Sequence, residues 1–269
     1  MAVGDTITQS LADSLPTVVA SARQTREFEG VMPNLVDKVT LSEGTGTSWR
    51  EVTMAQLTAQ TVTETTRLDN PQQMSDTLLT ITPTVVAIQT LITDRVAARI
   101  SSIAYAKVGN LAQNAIQRKK DEDGLTVLDG ATTELAGTGT TLTSGHIAAA
   151  GHRITSNATE PGNEPIRAVL HGFQIKDLYD EITAGVGTYN LQEGPTARVF
   201  AEKYQGMIAN VQIYEDGNIT IDSTPDAKGG VFAQEAIILV QGISPHTETR
   251  REPHIGGGAT SVFLYDEYA

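Results

Sequence analysis

TDRVAARISSIAYAKVGNLAQNAIQRKKDEDG, residues 93–124, is the stretch on which the reading of this chain turns. Apolar residues at Val96, Ile100, Ile103, Ala104, Val108, Leu111 and Ala115 recur at steps of three and four, which places them on one face of a 3.6-residue helix. Arg95, Arg99, Asn110, Gln113 and Gln117 fall on the opposite side. Thr93 suits the N-cap and Asp94 the first turn, Arg118, Lys119 and Lys120 suit the electronegative C-terminal end, and Gly124 suits a left-handed stop. Gly109 is the weak point, costing about 1 kcal/mol against alanine. A helix of roughly 28 residues spans on the order of 42 Å. The sequence therefore predicts one long spine serving a large body.

Composition sets the outer bounds. The 269 residues suffice for one large or two modest domains, and with only 5% aromatics the core must be built on Ala, Val, Ile and Leu. The net charge is -13, and no Lys/Arg block is longer than residues 118–120, which argues against a nucleic-acid reader. The absence of cysteine excludes disulfides, thiolate metal sites and cysteine nucleophiles. Residues 1–24 show no basic leader followed by an apolar run, and no window approaches 18 consecutive apolar residues. The expectation is a soluble cytoplasmic protein with no secretory signal and no membrane span.

Working outward, residues 1–13 read as a loose polar arm and Ser14–Phe28 as a short docking helix. Residues 35–64 switch to period-two alternation. Val36–Leu41 and Trp49–Met54 are expected to pair as a long hairpin across Ser42–Thr47, where Gly44 and Gly46 supply positive φ. It is poor in large apolar residues, and a lone hairpin is marginal in water, so it needs a neighbour. LLTITPTVVAIQTLI, residues 78–92, reads as a strand with an edge or bend at Pro83, feeding the spine.

After Gly124, the Gly/Thr-rich residues 128–145 read as loop with short strands. A helix capped by Ser144 runs to Ile154, IRAVLH (166–171) is a buried strand, and a helix covers Phe173–Ile182. Residues 184–195 read as a surface loop, Ala197–Tyr204 as a short helix, and residues 207–221 as a hairpin turning at Asp216-Gly217. Residues 231–241 are apolar enough to be central, and residues 246–268 form a charged, partly alternating end.

The sequence carries no phosphate-binding loop, dinucleotide fingerprint or nucleophile elbow. His146, His152, His171, His246 and His254 show no i, i+4 pair, and Asp121, Glu122 and Asp123 read as a solvated helix end rather than a cation site. Glu248, Arg250 and Glu252 share a strand face, as an exposed ion-paired ladder or an intersubunit contact. The reading is a non-enzyme, with no catalytic, cofactor-binding or metal residues assigned and no cofactor.

IRAVLHGFQIKDLYDEI, MIANVQIYEDGNI, and GGVFAQEAIILVQ followed by ETRREPHIGGGATSVFLYDEYA, in this order of elements, resemble the major capsid proteins of tailed bacteriophages, with their Hong Kong 97-type fold. The resemblance covers essentially the whole chain. It implies an α+β subunit with an N-terminal arm (1–31), an extended β-hairpin loop (32–70), a peripheral domain (71–125 and 244–269) around the spine helix, and an axial domain (126–243). It implies a structural protein of the virion, assembled in the host bacterial cytoplasm from hexamers and pentamers into an icosahedral shell. The shell would enclose double-stranded DNA without specific binding. The implied partners are further copies of the chain, a separate scaffolding protein, a portal and decoration proteins. The alternative is an encapsulin-type compartment of the same fold enclosing cargo enzymes. Some members of the family weld subunits by an isopeptide bond between an extended-loop lysine and a late asparagine. Lys38 is the one lysine in residues 32–70, and residues 244–269 contain no asparagine, so a non-covalent shell is expected.

Overall fold

A computed structural model describes residues 28–44, 46–67, 71–99, 102–135, 137, 139–186, 206–222 and 226–269, without the side chains of 102–108 and 182–186. In chain order the elements are α1 (Met32–Leu35), β1 (Asp37–Thr40), β2 (Trp49–Met54), β3 (Asp76–Ile81), β4 (Thr84–Thr93), α2 (Asp94–Ala97), α3 (Ser102–Asp129) and α4 (Ser144–Thr155). They continue with β5 (Ile166–Leu170), α5 (Gly172–Val186), β6 (Met207–Ile208), β7 (Val211–Glu215), β8 (Gly230–Ala233), β9 (Ile238–Gln241), β10 (His246–Glu252) and β11 (Ala259–Tyr268). The helices expected at Ser14–Phe28 and Ala197–Tyr204 lie outside the described residues, apart from Phe28, as does most of the loop expected at 184–195, whose first three residues belong instead to α5.

The spine exists, with both ends moved. Thr93 is an N-cap, its hydroxyl accepting the amide of Val96 at 3.4 Å, but it caps the four-residue α2 rather than the long helix. The 28-residue α3 begins at Ser102 and runs through Gly124 to Asp129. Gly124 is not a stop. It is the place where α1 touches the helix: a Cβ there would sit 3.1 Å from Met32 Cβ. Leu125 and Leu128 prolong the contact against the buried cluster of Met32, Leu35, Val36, Val169, Ile219 and Phe232, and this packing carries the helix past its glycine. Of the expected apolar stripe, Val96 is buried, in α2, Ala115 is half-buried, and Ile100 and the side chains of Ala104 and Val108 are not described. Leu111 is exposed, whereas Ile116, Lys120 and Asp121 are buried; Ile103 falls among the side chains not described.

Two sheets build the body. In one, β5 lies between β7 (parallel) and β8 (antiparallel), with β6 outside β7. Ile166, Ala168 and Leu170 of β5 join Ile147 of α4, Ile175 and Leu178 of α5, and Val211 and Ile213 of β7 in a single core. Val169 faces the other way, toward α1 and the C-terminal half of α3, so β5 is covered on both sides as its continuous apolar run predicts. The expectations for α4, β5 and α5 hold to within a few residues, although α4 is capped by Thr143 rather than Ser144. No strand occurs among the described residues of 130–143.

In the second sheet β11 is central. It pairs antiparallel with β4 along all ten residues, from Ala259↔Thr93 to Tyr268↔Thr84, and on its other side with β10. At its C-terminal end Tyr268 meets Gln241 of β9, and β9 pairs in parallel with β1. Residues 231–241 are thus central in an unexpected way: β8 ends in one sheet and β9 begins in the other.

Two hairpin expectations are corrected. β1 does not pair with β2. It joins the body, while β2 pairs antiparallel with β3 in the register Trp49↔Ile81 to Met54↔Asp76. Gly44 and Gly46 do have positive φ, 82° and 99°, but they lead the chain out of the body instead of closing a hairpin. The second correction concerns Asp216-Gly217. The β6–β7 turn is made by Ala209 and Asn210, with φ of 46° and 69°. Two successive positive φ values are the geometry that matches the twist of paired strands.

Candidate functional site

The β2–β3 hairpin projects from the body. Arg50–Arg67 and Pro71–Thr80 are all exposed. Among them Val52, Met54, Leu57, Val62, Met74, Leu78 and Leu79 are apolar and 48–66% exposed. Val52 and Leu78 are cross-strand partners on one face, and Leu79 lies on the other, opposite Glu51. A two-stranded ribbon with bare apolar side chains on both faces is unstable as a free element and is a surface awaiting a partner. This ribbon is the chain's candidate functional site.

Three polar joints hold the body that carries it. In the first, Lys120 of α3 places Nζ 2.6 Å from Asp266 Oδ2 of β11, with the two side chains 6% and 0% exposed. The same ammonium donates to Gln241 Oε1 of β9 at 3.0 Å and lies 5.0 Å from the centre of the Tyr268 ring. Gln241 Nε2 donates to Asp266 Oδ1 at 2.5 Å and to the Glu267 carbonyl at 2.9 Å. Tyr268 donates its hydroxyl to Asp123 Oδ2 at 2.9 Å, and burial, then this carboxylate, push the phenol's pKa up. A buried ion pair is tolerable only when its remaining polar atoms are satisfied, and here the two strands and the helix supply the partners.

The second joint holds the segment entering α1. Asp121, 0% exposed, accepts the amide of Met32 at 2.9 Å on Oδ1 and the Asn218 side-chain amide at 2.8 Å on Oδ2. Asp216, also 0% exposed, accepts the amides of Val31 at 3.3 Å and Asn218 at 2.8 Å. Gly30 makes this possible, since a Cβ there would overlap the Asp121 carboxylate. Gly30→Ala is expected to lower stability by about 1–3 kcal/mol through overpacking. Thermal unfolding of the purified subunit checks this, and an unchanged midpoint would show that the segment relaxes freely.

The third joint is a fork. Arg251 of β10 grips both carboxylate oxygens of Asp94 in α2, with Nη1–Oδ1 at 2.5 Å, and holds that carboxyl below its usual range. Asp94 N donates to the Gly258 carbonyl at 2.9 Å, so α2 is fastened to the β10–β11 turn.

The structure does not gather the residues screened for chemistry. His146 Nδ1 accepts the Thr143 amide at the start of α4, and His171 Nδ1 accepts that of Phe173 at the start of α5. His152 is exposed, His246 stacks on Tyr265, and His254 approaches Glu252 at 3.4 Å. Among the described residues no group of three His, Asp or Glu could hold a metal ion, and no helix is long and apolar enough to cross a membrane. Glu248, Arg250 and Glu252 do share a strand, with Arg250 Nε 3.1 Å from Glu252 Oε1. Asp121 corrects the solvated-end reading, since it is buried.

The sequence matches no protein-family model and no curated protein. The fold is similar to solved structures along almost the whole chain. A structure from Mycobacterium phage Che8 superposes with a TM-score of 0.75 at 18% identity, covering 94% of this chain and 91% of that one. The capsid structure of cyanophage P-SCSP1u gives 0.68 at 13% identity, covering 94% and 88%. The mature capsid of bacteriophage PhiM1 gives 0.64 at 16%, covering 95% and 87%. The paired sheets, the spine helix and the projecting ribbon together are the α+β fold of tailed-phage capsid subunits, the Hong Kong 97-type fold.

Proposed function

We propose that this chain is the major capsid protein of a tailed double-stranded DNA bacteriophage, a structural subunit that assembles as hexamers and pentamers into the icosahedral head shell. The observation that carries this reading is the β2–β3 ribbon, apolar and unpartnered on a subunit with a phage-capsid fold. In an assembly the ribbon acts as the extended loop, lying across an adjacent copy that covers its apolar side chains. The division into arm (1–31), extended loop, peripheral domain (71–125 and 244–269) and axial domain (126–243) goes with this proposal, with the loop shifted from 32–70 to Trp49–Ile81, because α1 and β1 pack into the body. An encapsulin-type compartment is not favoured, because the similar structures described above come from phages. The net charge of -13 suits a wall that encloses DNA without adhering to it.

A separate scaffolding protein, a portal and decoration proteins complete the proposed set of partners, and the assembled protein resides in the virion. Residues 49–81 contain no lysine, and Lys38 sits in β1, where its Nζ bonds Asn34 Oδ1 at 3.1 Å. The extended loop therefore has no amine with which to weld subunits. Purified particles are expected to sediment as large closed assemblies and to run on a denaturing gel as a single monomer band. Covalent ladders would overturn the non-covalent shell, and a monomer at every concentration would overturn the shell itself.

A further inference from the structure

The carboxylates of Asp121 and Asp216 are both fully buried, and each accepts one amide of the same short segment, Met32 and Val31 respectively. Asn218 ties them together, its backbone amide on one and its side-chain amide on the other. The segment is seated closely on both sides: Gly30 against Asp121, and Phe28 over Gly217, where a Cβ would come within 2.9 Å of the ring.

Among the described residues, none supplies a positive charge to balance the pair. On α3, Lys120 turns away to Asp266, and Glu122 is exposed with Arg118 at 3.5 Å. On β5, Arg167 gives its guanidinium to the carbonyls of Asn34 and Leu35. His171 points Nδ1 at the Phe173 amide, Glu215 faces Gly172, and Glu29 is exposed. Among the described residues, the charge acting on Asp216 is that of Asp121. Two like charges in one dry site are costly, and a proton on one of them relieves both repulsion and desolvation.

We propose that Asp121 and Asp216 form a protonation-controlled latch on segment Phe28–Met32: the segment is fastened while the pair carries a proton and loosened when both carboxylates are ionised. Burial first, then Asp121, push the Asp216 carboxyl up to about 6 from 3.8, against the amide bonds that favour its charge. The sign follows from linkage. A carboxyl with a raised pKa when latched contributes its full stabilisation below about pH 4, loses it progressively, and contributes none above about pH 6.

Amide hydrogen exchange on the full-length subunit, corrected for the intrinsic pH dependence of exchange, tests this. Protection of Val31 and Met32 is expected to fall about tenfold between pH 5 and pH 7.5, while that of Ala168 in β5 stays constant. In Asp216→Asn the fall should vanish. A flat wild-type profile, an equal fall at Ala168, or an undiminished fall in Asp216→Asn would overturn the latch. Should that variant fail to fold, the carboxyl carbon resonance of Asp216 in the wild-type subunit decides: a midpoint near 6 supports the latch, and one near 4 overturns it.

Discussion

The double variant Val52→Glu/Leu78→Lys is expected to yield a folded subunit that no longer assembles. The two positions are cross-strand partners on one face of the β2–β3 ribbon, 53% and 54% exposed in the single chain. A Glu–Lys pair facing across the strands keeps the ribbon itself together. What it removes is the apolar area that a neighbouring copy would cover: full burial of an aliphatic side chain is worth about 1.5–3 kcal/mol, and each of these two has about half of its surface left to bury. A loss of about 2 kcal/mol per contact weakens that contact roughly thirtyfold, and the contact recurs in every subunit of a shell. Size-exclusion chromatography with circular dichroism checks both halves of the expectation. Native-like spectra with normal particles would show that the ribbon's apolar face is not an assembly surface.

The second large effect lies in the joint between the spine and the sheets. Asp266→Ala leaves Lys120 buried without its counter-ion, and truncating one partner of a buried pair costs about 3–5 kcal/mol. For a chain of this size that lowers the unfolding midpoint by on the order of 10 °C. Lys120→Met with Asp266→Leu removes both charges, and should recover most of the loss, because a well-packed apolar pair of similar volume often matches a buried ion pair. Differential scanning calorimetry of the three proteins gives the answer. If the single variant melts like the wild type, Lys120 reaches water and the joint does not hold α3 against β9 and β11.

Both effects arise where local sequence signals mislead. Gly44 and Gly46 follow one alternating run and precede another, which is how a hairpin turn reads, yet β2 finds its partner beyond residues 55–75. Turn chemistry cannot register a pairing across a connection that long. Asp216-Gly217 has the composition of a hairpin turn as well, but the carboxylate is taken up by Val31, far away in the chain. Lys120 and Asp121 follow Arg118 and Lys119 in what looks like a solvated helix end. Their partners Asp266 and Met32 lie in other elements, and helical periodicity says nothing about those.

What was legible is what periodicity and burial control together. The continuous apolar run of β5 and the helical stretches read for α4 and α5 place those elements to within a few residues, with the cap of α4 one residue off. The spine was legible as a helix, but counting apolar residues selected Leu111, which is exposed, and passed over Lys120 and Asp121, which are buried. The candidate site was visible only as a hairpin too poor in apolar contacts to stand alone. That physical deficit survives the correction of which strands form it.

On this account the β2–β3 ribbon is completed by a neighbouring subunit within a closed shell. A cryo-electron microscopy reconstruction of assembled particles measures this directly. The expected result is a closed icosahedral shell in which residues 49–81 of each subunit lie against the adjacent copy, with Val52 and Leu78 covered. A ribbon folded back on its own subunit or standing free in solvent, or a chain that stays monomeric, would contradict it.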